Sequence, residues 1–357
     1  MNISGLRGII LEEVVLHLLE LAGYRTVETG EEGTRVGHSG LEVQGRGEWH
    51  QIDALAALDH SPPFMYPIRL MVEAKCHATD KPVQIHVVRN AVGVLKDISE
   101  NFFSATVRSS DGARIPTLRF NYQSAIFSSS GYTRGAIKYA IAHQIFLIQY
   151  KNVGLIQPVL SGIHTLVESH LRDPETAERK RSISTRIRET FRELIRLNGD
   201  VQPAVDGVLT TDGHRHLRDE VIRPLLDIRG SYFGTLQGRW PIHLIAKNPL
   251  PPAVFSETDE VPCKVFGRQG NRWSFAPSHI RETDENRWFR LDFDLPEEVV
   301  SILESSDRDA ETVARIKEGH FSYADLSGKI GGINRRFRLK LDSDWMADYR
   351  RRLGVAS

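Results

Sequence analysis

The sequence predicts an α/β N-terminal domain, one mixed sheet flanked by helices, followed by a mostly helical segment and a β-rich α+β C-terminal region. Three observations carry that prediction. An apolar run at 68–76 has the two-residue period of a strand. Apolar residues on either side of it, around 10–22 and 83–99, recur at helical spacing. From Arg239 onward the pattern breaks into short alternating runs separated by prolines and glycines. At 357 residues the chain has length for two or three domains, each with a core.

Taken in order, the first helix carries two adjacent acids. Glu12 neighbours Val15, Leu16 and Leu19 at three, four and seven residues, whereas Glu13 neighbours Leu16, His17 and Glu20. Glu12 therefore leans toward the buried stripe, although a carboxylate near a helix N-terminus is also favoured by the dipole. Next comes Gly45-Arg46-Gly47-Glu48-Trp49-His50-Gln51-Ile52-Asp53. Glycines on both sides of Arg46 allow close backbone approach to a phosphate, and the guanidinium offers a forked donor. A hairpin turn with a solvated arginine fits equally well. Glu42, on the strand before, would pair with Arg46 or lie exposed.

In the strand at 68–76, Ile68, Leu70, Val72, Ala74 and Cys76 share one face, and Arg69, Met71, Glu73 and Lys75 share the other. Glu73 and Lys75 thus point the same way, with Asp53 on a neighbouring strand. Mg²⁺ takes hard oxygen ligands and keeps waters, so Asp53 and Glu73 would supply its carboxylates. Lys75 beyond it would orient or help deprotonate an attacking water, or neutralise charge on phosphorus. As a bare pattern Glu-x-Lys is common on solvated strands. Its position at the end of an apolar run, with a second acid converging on it, favours a site. After this strand Ile85, Val88, Val92, Leu95 and Ile98 mark an amphipathic helix with Pro82 near its start.

These residues resemble the restriction-endonuclease-like nucleases with the Asp…Glu-x-Lys, or PD-(D/E)xK, signature, in particular the Mrr-like branch. That branch opens on Phe-Glu-x-x-Val-x-x-Leu-Leu-x-x-x-Gly-Tyr, and this chain has Leu11-Glu12, Val15, Leu18-Leu19 and Gly23-Tyr24. The branch closes on Ser-Ser-Gly-Tyr/Phe-x-x-Gly-Ala-x-x-Tyr-Ala, and this chain has Ser129-Ser130-Gly131-Tyr132, Gly135-Ala136 and Tyr139-Ala140 leading into a last strand. The resemblance spans roughly 1–150. Leu11 replaces the usual aromatic, and Ile52 stands where proline or glycine often precedes the acid. The resemblance implies a Mg²⁺-dependent DNA endonuclease, with Mn²⁺ able to substitute, acting in restriction or defence against foreign DNA. Asp53 and Glu73 would hold the metal, Lys75 would position the nucleophile and Glu12 would assist. Arg46, His50, Gln51, Gln84 and Arg89 are the candidate DNA contacts, the last two on the 83–99 helix. Two alternatives are a non-catalytic nucleic-acid-binding scaffold that kept the fold, and a nuclease acting on RNA or single strands.

The expected division is 1–153 for the nuclease domain, 154–238 for a helical linker or assembly region and 239–357 for a β-rich recognition or interaction domain, with a further helix expected at 132–143. In the helical region, Ile183, Ile187, Phe191, Leu194 and Ile195 form a narrow apolar stripe. Arg179, Lys180, Arg181, Arg186, Arg188, Arg192 and Arg196 fill the other faces. They form either a phosphate-binding surface or a solvated helix paired internally through Glu189 and Glu193. Further on, 264–275 reads as a hairpin, 287–295 and 337–342 as strands, and 296–304 and 309–318 as helices. Trp273, Trp288, Phe289 and Trp345 would stack bases or fill a core. His214 and His216 lack ligand partners.

Lys and Arg total 46 and Asp and Glu total 46, which argues against tight non-specific coating of DNA but not against clustered phosphate contacts. Two cysteines, Cys76 and Cys263, are too few and too distant for a four-ligand zinc site and suit a reducing cytoplasm. No signal peptide or membrane span is expected. Duplex cleavage needs two centres, so a homodimer or higher oligomer is expected, with room for an activating protein partner.

Overall fold

The chain was analysed as a computed structural model that describes residues 2–37, 40–61, 63–101, 103–106, 114–117, 120–172, 180–199, 207–267, 272–295 and 310–354. It divides into two compact units, Met1–Leu147 with Ser161–Arg223, and Ile148–Leu160 with Pro224–Ser357. The segment expected at 154–238 is thus divided, and most of it clusters with the N-terminal residues. The physical reason is its apolar stripe: Ile183, Ile187, Phe191 and Leu194 are all buried, which an isolated helix cannot achieve.

The first unit contains α1 (Ile3–Leu21), β1 (Tyr24–Thr26), β2 (Thr34–Val36), β3 (Leu41–Gln44), β4 (Trp49–Gln51), β5 (Ala54–Leu58), β6 (Ile68–Lys75), α2 (Ile85–Ser99), β7 (Phe103–Thr106), β8 (Arg114–Thr117), β9 (Asn121–Ser128) and α3 (Arg134–Ala142), and its boundary falls within β10 (Phe146–Gln149). After α4 (Gln157–His164) come α5 (Lys180–Arg196), α6 (Thr211–His216) and α7 (Arg223–Leu226). A five-stranded sheet runs in the order β1-β5-β6-β9-β10. It is mixed, as expected: β5 lies antiparallel to β6 with Ala54 opposite Val72, and β6 lies parallel to β9 with Val72 opposite Ala125. A separate antiparallel sheet of β2, β3 and β4 leads to Asp53.

Because β6 is central, both its faces are covered, and Leu70, Met71, Val72 and Ala74 are all buried. Even Arg69 is buried, its guanidinium 3.4 Å from the Phe120 ring centroid and donating to the Glu32 carbonyl at 2.6 Å. The first helix starts at Ile3 rather than near residue 10, because the Asn2 side chain accepts from the Gly5 amide at 2.9 Å and caps it. It is apolar almost all round, so both Glu12 and Glu13 are buried with it. The expected contrast between a buried Glu12 and an outward Glu13 is therefore absent.

The Ser-Ser-Gly-Tyr segment turns β9 into α3. Gly131 has φ +90°, the left-handed region open to glycine, and the Ser128 hydroxyl accepts from its amide at 3.1 Å. Thr133 caps α3 by accepting from the Ala136 amide. Val88, Ile126, Tyr132, Ala136 and Ile137 form the core between α2, α3 and the sheet.

The second unit holds β11 (Gly230–Leu236), β12 (Trp240–Ala246), β13 (Glu260–Gly267), β14 (Arg272–Pro277), β15 (Leu291–Asp294), α8 (Ala310–His320), β16 (Tyr323–Ile330), β17 (Ile333–Leu341) and α9 (Ser343–Leu353). Its seven strands close into a barrel in the order β11-β12-β15-β14-β13-β17-β16, which removes free sheet edges. The pairing of β13 with β17 is parallel, and β11 closes antiparallel on β16. Gly234 permits that closure, since a Cβ there would collide with the Asp325 carbonyl.

Phe275, Phe293, Phe321 and Leu291 fill the barrel, together with Trp273 and Phe289, so these last two are core residues rather than exposed base platforms. The strands at 264–275 form the expected antiparallel pair, while the turn at 268–271 and the helix expected at 296–304 lie outside the described residues. No described helix is long and apolar enough to cross a membrane.

Candidate active site

Asp53 sits in the break between β4 and β5, and its position is fixed from the next strand: the Ala74 amide donates to its Oδ2 at 3.0 Å. Ala74 lies between Glu73 and Lys75 in β6, so one backbone bond ties the acid to the Glu-x-Lys pair. Lys75 bridges the two carboxylates, its Nζ 3.6 Å from Asp53 Oδ2 and in ion-pair contact with Glu73 Oε1. The strand end that carries Lys75 is itself held by the β9–α3 turn, where the Ser129 amide donates to the Lys75 carbonyl at 3.2 Å and its hydroxyl to the His77 carbonyl at 2.9 Å.

Charge is concentrated here. Burial pushes the Glu73 carboxyl up, the nearby Asp53 charge adds to that, and Lys75 partly offsets it. Burial opposes the charge on Lys75, but the Asp53, Glu73 and Glu12 carboxylates outweigh it and hold the ammonium above its ordinary range. Lys75 thus carries positive charge beside the two carboxylates. Glu12 is pushed up to about 7, first by burial and then by Asp53, with Arg188 pulling the other way. A carboxyl with that value exchanges protons near neutrality.

Arg188 is the residue that the sequence did not assign to this site. Its Nη2 donates to Glu12 Oε2, and its Nη1 donates to Glu13 Oε1 at 2.9 Å. Arg192, one turn on, donates from Nε to Glu13 Oε2 at 2.7 Å and from Nη1 to Glu28 at 2.8 Å. Beside them a cleft of about 250 Å³ is lined by Asp53, Thr26, Ser184, Thr185, Arg188 and Arg192, among others. The arginine helix therefore does not present a uniform cationic face. Two of its arginines turn onto acids of α1, Arg196 meets Glu193 at 4.0 Å, Arg179 lies outside the described residues, and the side chains of Lys180 and Arg181 are likewise not described.

The expected DNA contacts separate from this cluster. His50 Nε2 lies 2.7 Å from Asp97 Oδ2, and the same carboxylate accepts from the Gly47 and Glu48 amides, fixing the glycine-flanked turn onto the C-terminal end of α2. Arg46 projects from that turn, 71 % exposed and 3.5 Å from Glu100. Glu42 pairs with Arg35 at 2.7 Å and not with Arg46. Gln51 is exposed, Gln84 donates to the Pro82 carbonyl at 3.3 Å, and exposed Arg89 lies 5.5 Å from the Tyr139 ring centroid. None of these five pairs with Asp53, Glu73 or Lys75 among the described residues.

Among the described residues no group of three or more His, Cys, Asp or Glu side chains is arranged to hold a metal. Two carboxylates still match Mg²⁺, which commonly takes one or two from protein and completes its shell with water and substrate phosphate. Asp53 and Glu73 are the two carboxylates that would have to supply such a pair, while Glu12 is engaged by Arg188.

No protein-family model and no curated protein matches the chain. A crystal structure of AF1548, a protein of unknown function, aligns with 59 % of this chain and 95 % of its own at 17 % identity, with a TM-score of 0.35. A likeness at that level carries no argument about fold or activity.

Proposed function

We propose that this chain is a Mg²⁺-dependent endonuclease that hydrolyses phosphodiester bonds of DNA, of the restriction-endonuclease-like kind and the Mrr-like branch, acting in restriction or defence in the cytoplasm. The observation that carries the reading is Lys75 bridging Asp53 and Glu73 while the Ala74 amide holds Asp53 in place. A bound divalent cation would polarise the phosphate and its bound water. Lys75 supplies fixed positive charge where phosphorus becomes five-coordinate. Glu12 accepts a proton from the attacking water, and Arg188 holds that carboxyl in place from α5.

The test is cleavage of supercoiled plasmid, methylated and unmethylated, with Mg²⁺, Mn²⁺ or EDTA. Metal-dependent nicking by the wild type, lost in Asp53→Ala and Lys75→Ala, is the expected result. Single-stranded DNA and RNA substrates separate a duplex nuclease from one acting on single strands. Duplex cleavage implies a homodimer or larger assembly, which light scattering measures directly. A second reading, a non-catalytic nucleic-acid-binding scaffold, is favoured by the engagement of Glu12 with Arg188. It predicts DNA affinity unchanged in Asp53→Ala and no cutting under any of these conditions; cutting that appears once an activating protein is supplied would return the first reading.

A further inference from the structure

The barrel carries a cavity of about 630 Å³ on the side where β13 and β14 meet the 278–290 loop. Its lining combines cations and aromatic faces: Lys264, Phe266, His279, Arg281, Trp288 and Arg290. Arg290 is already matched by Asp292 at 2.9 Å, and His279 Nε2 lies 2.8 Å from Asp342 Oδ2. Lys264 and Arg281 form no ion pair among the described residues, and Glu282 is the one acid in the lining. Phe266 is 40 % exposed, unusual for a phenylalanine, and Trp288 is half-buried. The Phe266 ring is backed edge-on by Trp345 at 6.2 Å, which stacks on Tyr349 at 5.4 Å. Lys317, buried with no ion pair among the described residues, sets its ammonium 3.8 Å from the Tyr349 ring centroid and 5.0 Å from that of Trp345. Positive charge and aromatic surface thus meet at one opening whose volume lies in the range of small-ligand sites.

We propose that this cavity binds an unpaired nucleotide of single-stranded nucleic acid, its base against Phe266 or Trp288 and its phosphate on Lys264 and Arg281. Cations that track a phosphate backbone, next to aromatic faces that accept any base, are the combination that holds single strands. Bases stacked within a duplex offer no free face for such contacts. A phosphorylated peptide would use the cations but leave the aromatic faces without a planar partner. Because the site is separate from the Asp53 cluster, its binding needs neither metal nor cleavage and stands whether or not the nuclease reading holds.

The experiment is fluorescence anisotropy of a labelled oligothymidylate of about twelve nucleotides, titrated with the full chain in EDTA. Trp288→Ala and the double variant Lys264→Ala/Arg281→Ala should each weaken binding about tenfold. The double variant changes side chains at the surface, so its thermal midpoint should match the wild type even if Trp288→Ala folds poorly. Wild-type affinity in the double variant would overturn the proposal. So would displacement of the oligomer by a phosphoserine peptide, or by duplex of the same length, as readily as by unlabelled single strand.

Discussion

Arg188 reaches two consecutive acids of another helix, contacting Glu12 with one nitrogen of its guanidinium and Glu13, at 2.9 Å, with the other. Glu13 is 2 % exposed and pairs with both Arg188 and Arg192. A planar fork suits that task because both nitrogens point at once toward two carboxylates.

Replacing Arg188 with alanine should therefore cost about 3 kcal/mol in urea unfolding, because it removes the guanidinium from a buried ion pair while both acids stay buried. Arg188→Lys keeps the charge but not the fork, and should recover only part of the loss. A cost no larger than that of an exposed pair would show that Arg192 alone compensates Glu13.

Glu12 makes stability fall as pH rises. Its folded value is about 7 against 4.5 for the unconstrained carboxyl, so between those values the native state holds a proton that the unfolded chain has released. The contribution is fully present below 4.5 and is lost as pH rises through about 7. Glu12→Gln should raise the thermal midpoint above that of wild type near pH 8 and reduce the decline between about pH 5 and 8. The same variant should lower plasmid nicking if Glu12 takes the proton from water.

His243 gives the opposite slope in the barrel unit. It is buried with Nδ1 3.1 Å from the Tyr150 hydroxyl and Nε2 2.8 Å from Ser231 Oγ, and burial pushes its pKa down to about 3. The unfolded histidine takes up a proton below 6.5, so this stability is present above 6.5 and lost as pH falls toward 3. Near-ultraviolet circular dichroism should record a steepening loss of thermal stability across that window. In His243→Phe the acid slope should flatten, while stability at neutral pH drops by about 1–3 kcal/mol because two buried hydroxyls lose their hydrogen bonds to the imidazole.

Phe321 should be among the costliest positions in the barrel. It is fully buried, stacked 5.1 Å from Trp273 and edge-on to Phe275 at 6.2 Å. Phe321→Ala should lose about 3–5 kcal/mol by chemical denaturation. A smaller loss would mean that Trp273 and Phe293 collapse into the space.

Short-range patterns were legible and long-range pairings were not. The two-residue period of β6 placed Glu73 and Lys75 side by side, and the helical spacing from Ile85 to Ile98 marked α2. Helical spacing could not separate Glu12 from Glu13, since a helix covered on every side has no outward face for an acid to choose. The arginines of α5 were visible as charge, but nothing in their spacing says which acids they meet, because Arg188 and Glu12 are joined only by folding. Barrel closure was hidden for the same reason: the short strands were readable, while the parallel match of Val261 to Leu339 depends on chain that is distant in sequence.

The pairing of Arg188 with Glu12 and Glu13 also sets an order of events during synthesis. Asp53, Glu73 and Lys75 leave the ribosome well before α5. Until residue 188 has emerged, Glu12 and Glu13 have neither of the guanidinium partners they meet in the finished unit. A nascent chain halted after β10 would carry all four site residues in an incomplete electrostatic setting, so the finished centre appears only once α5 has been made.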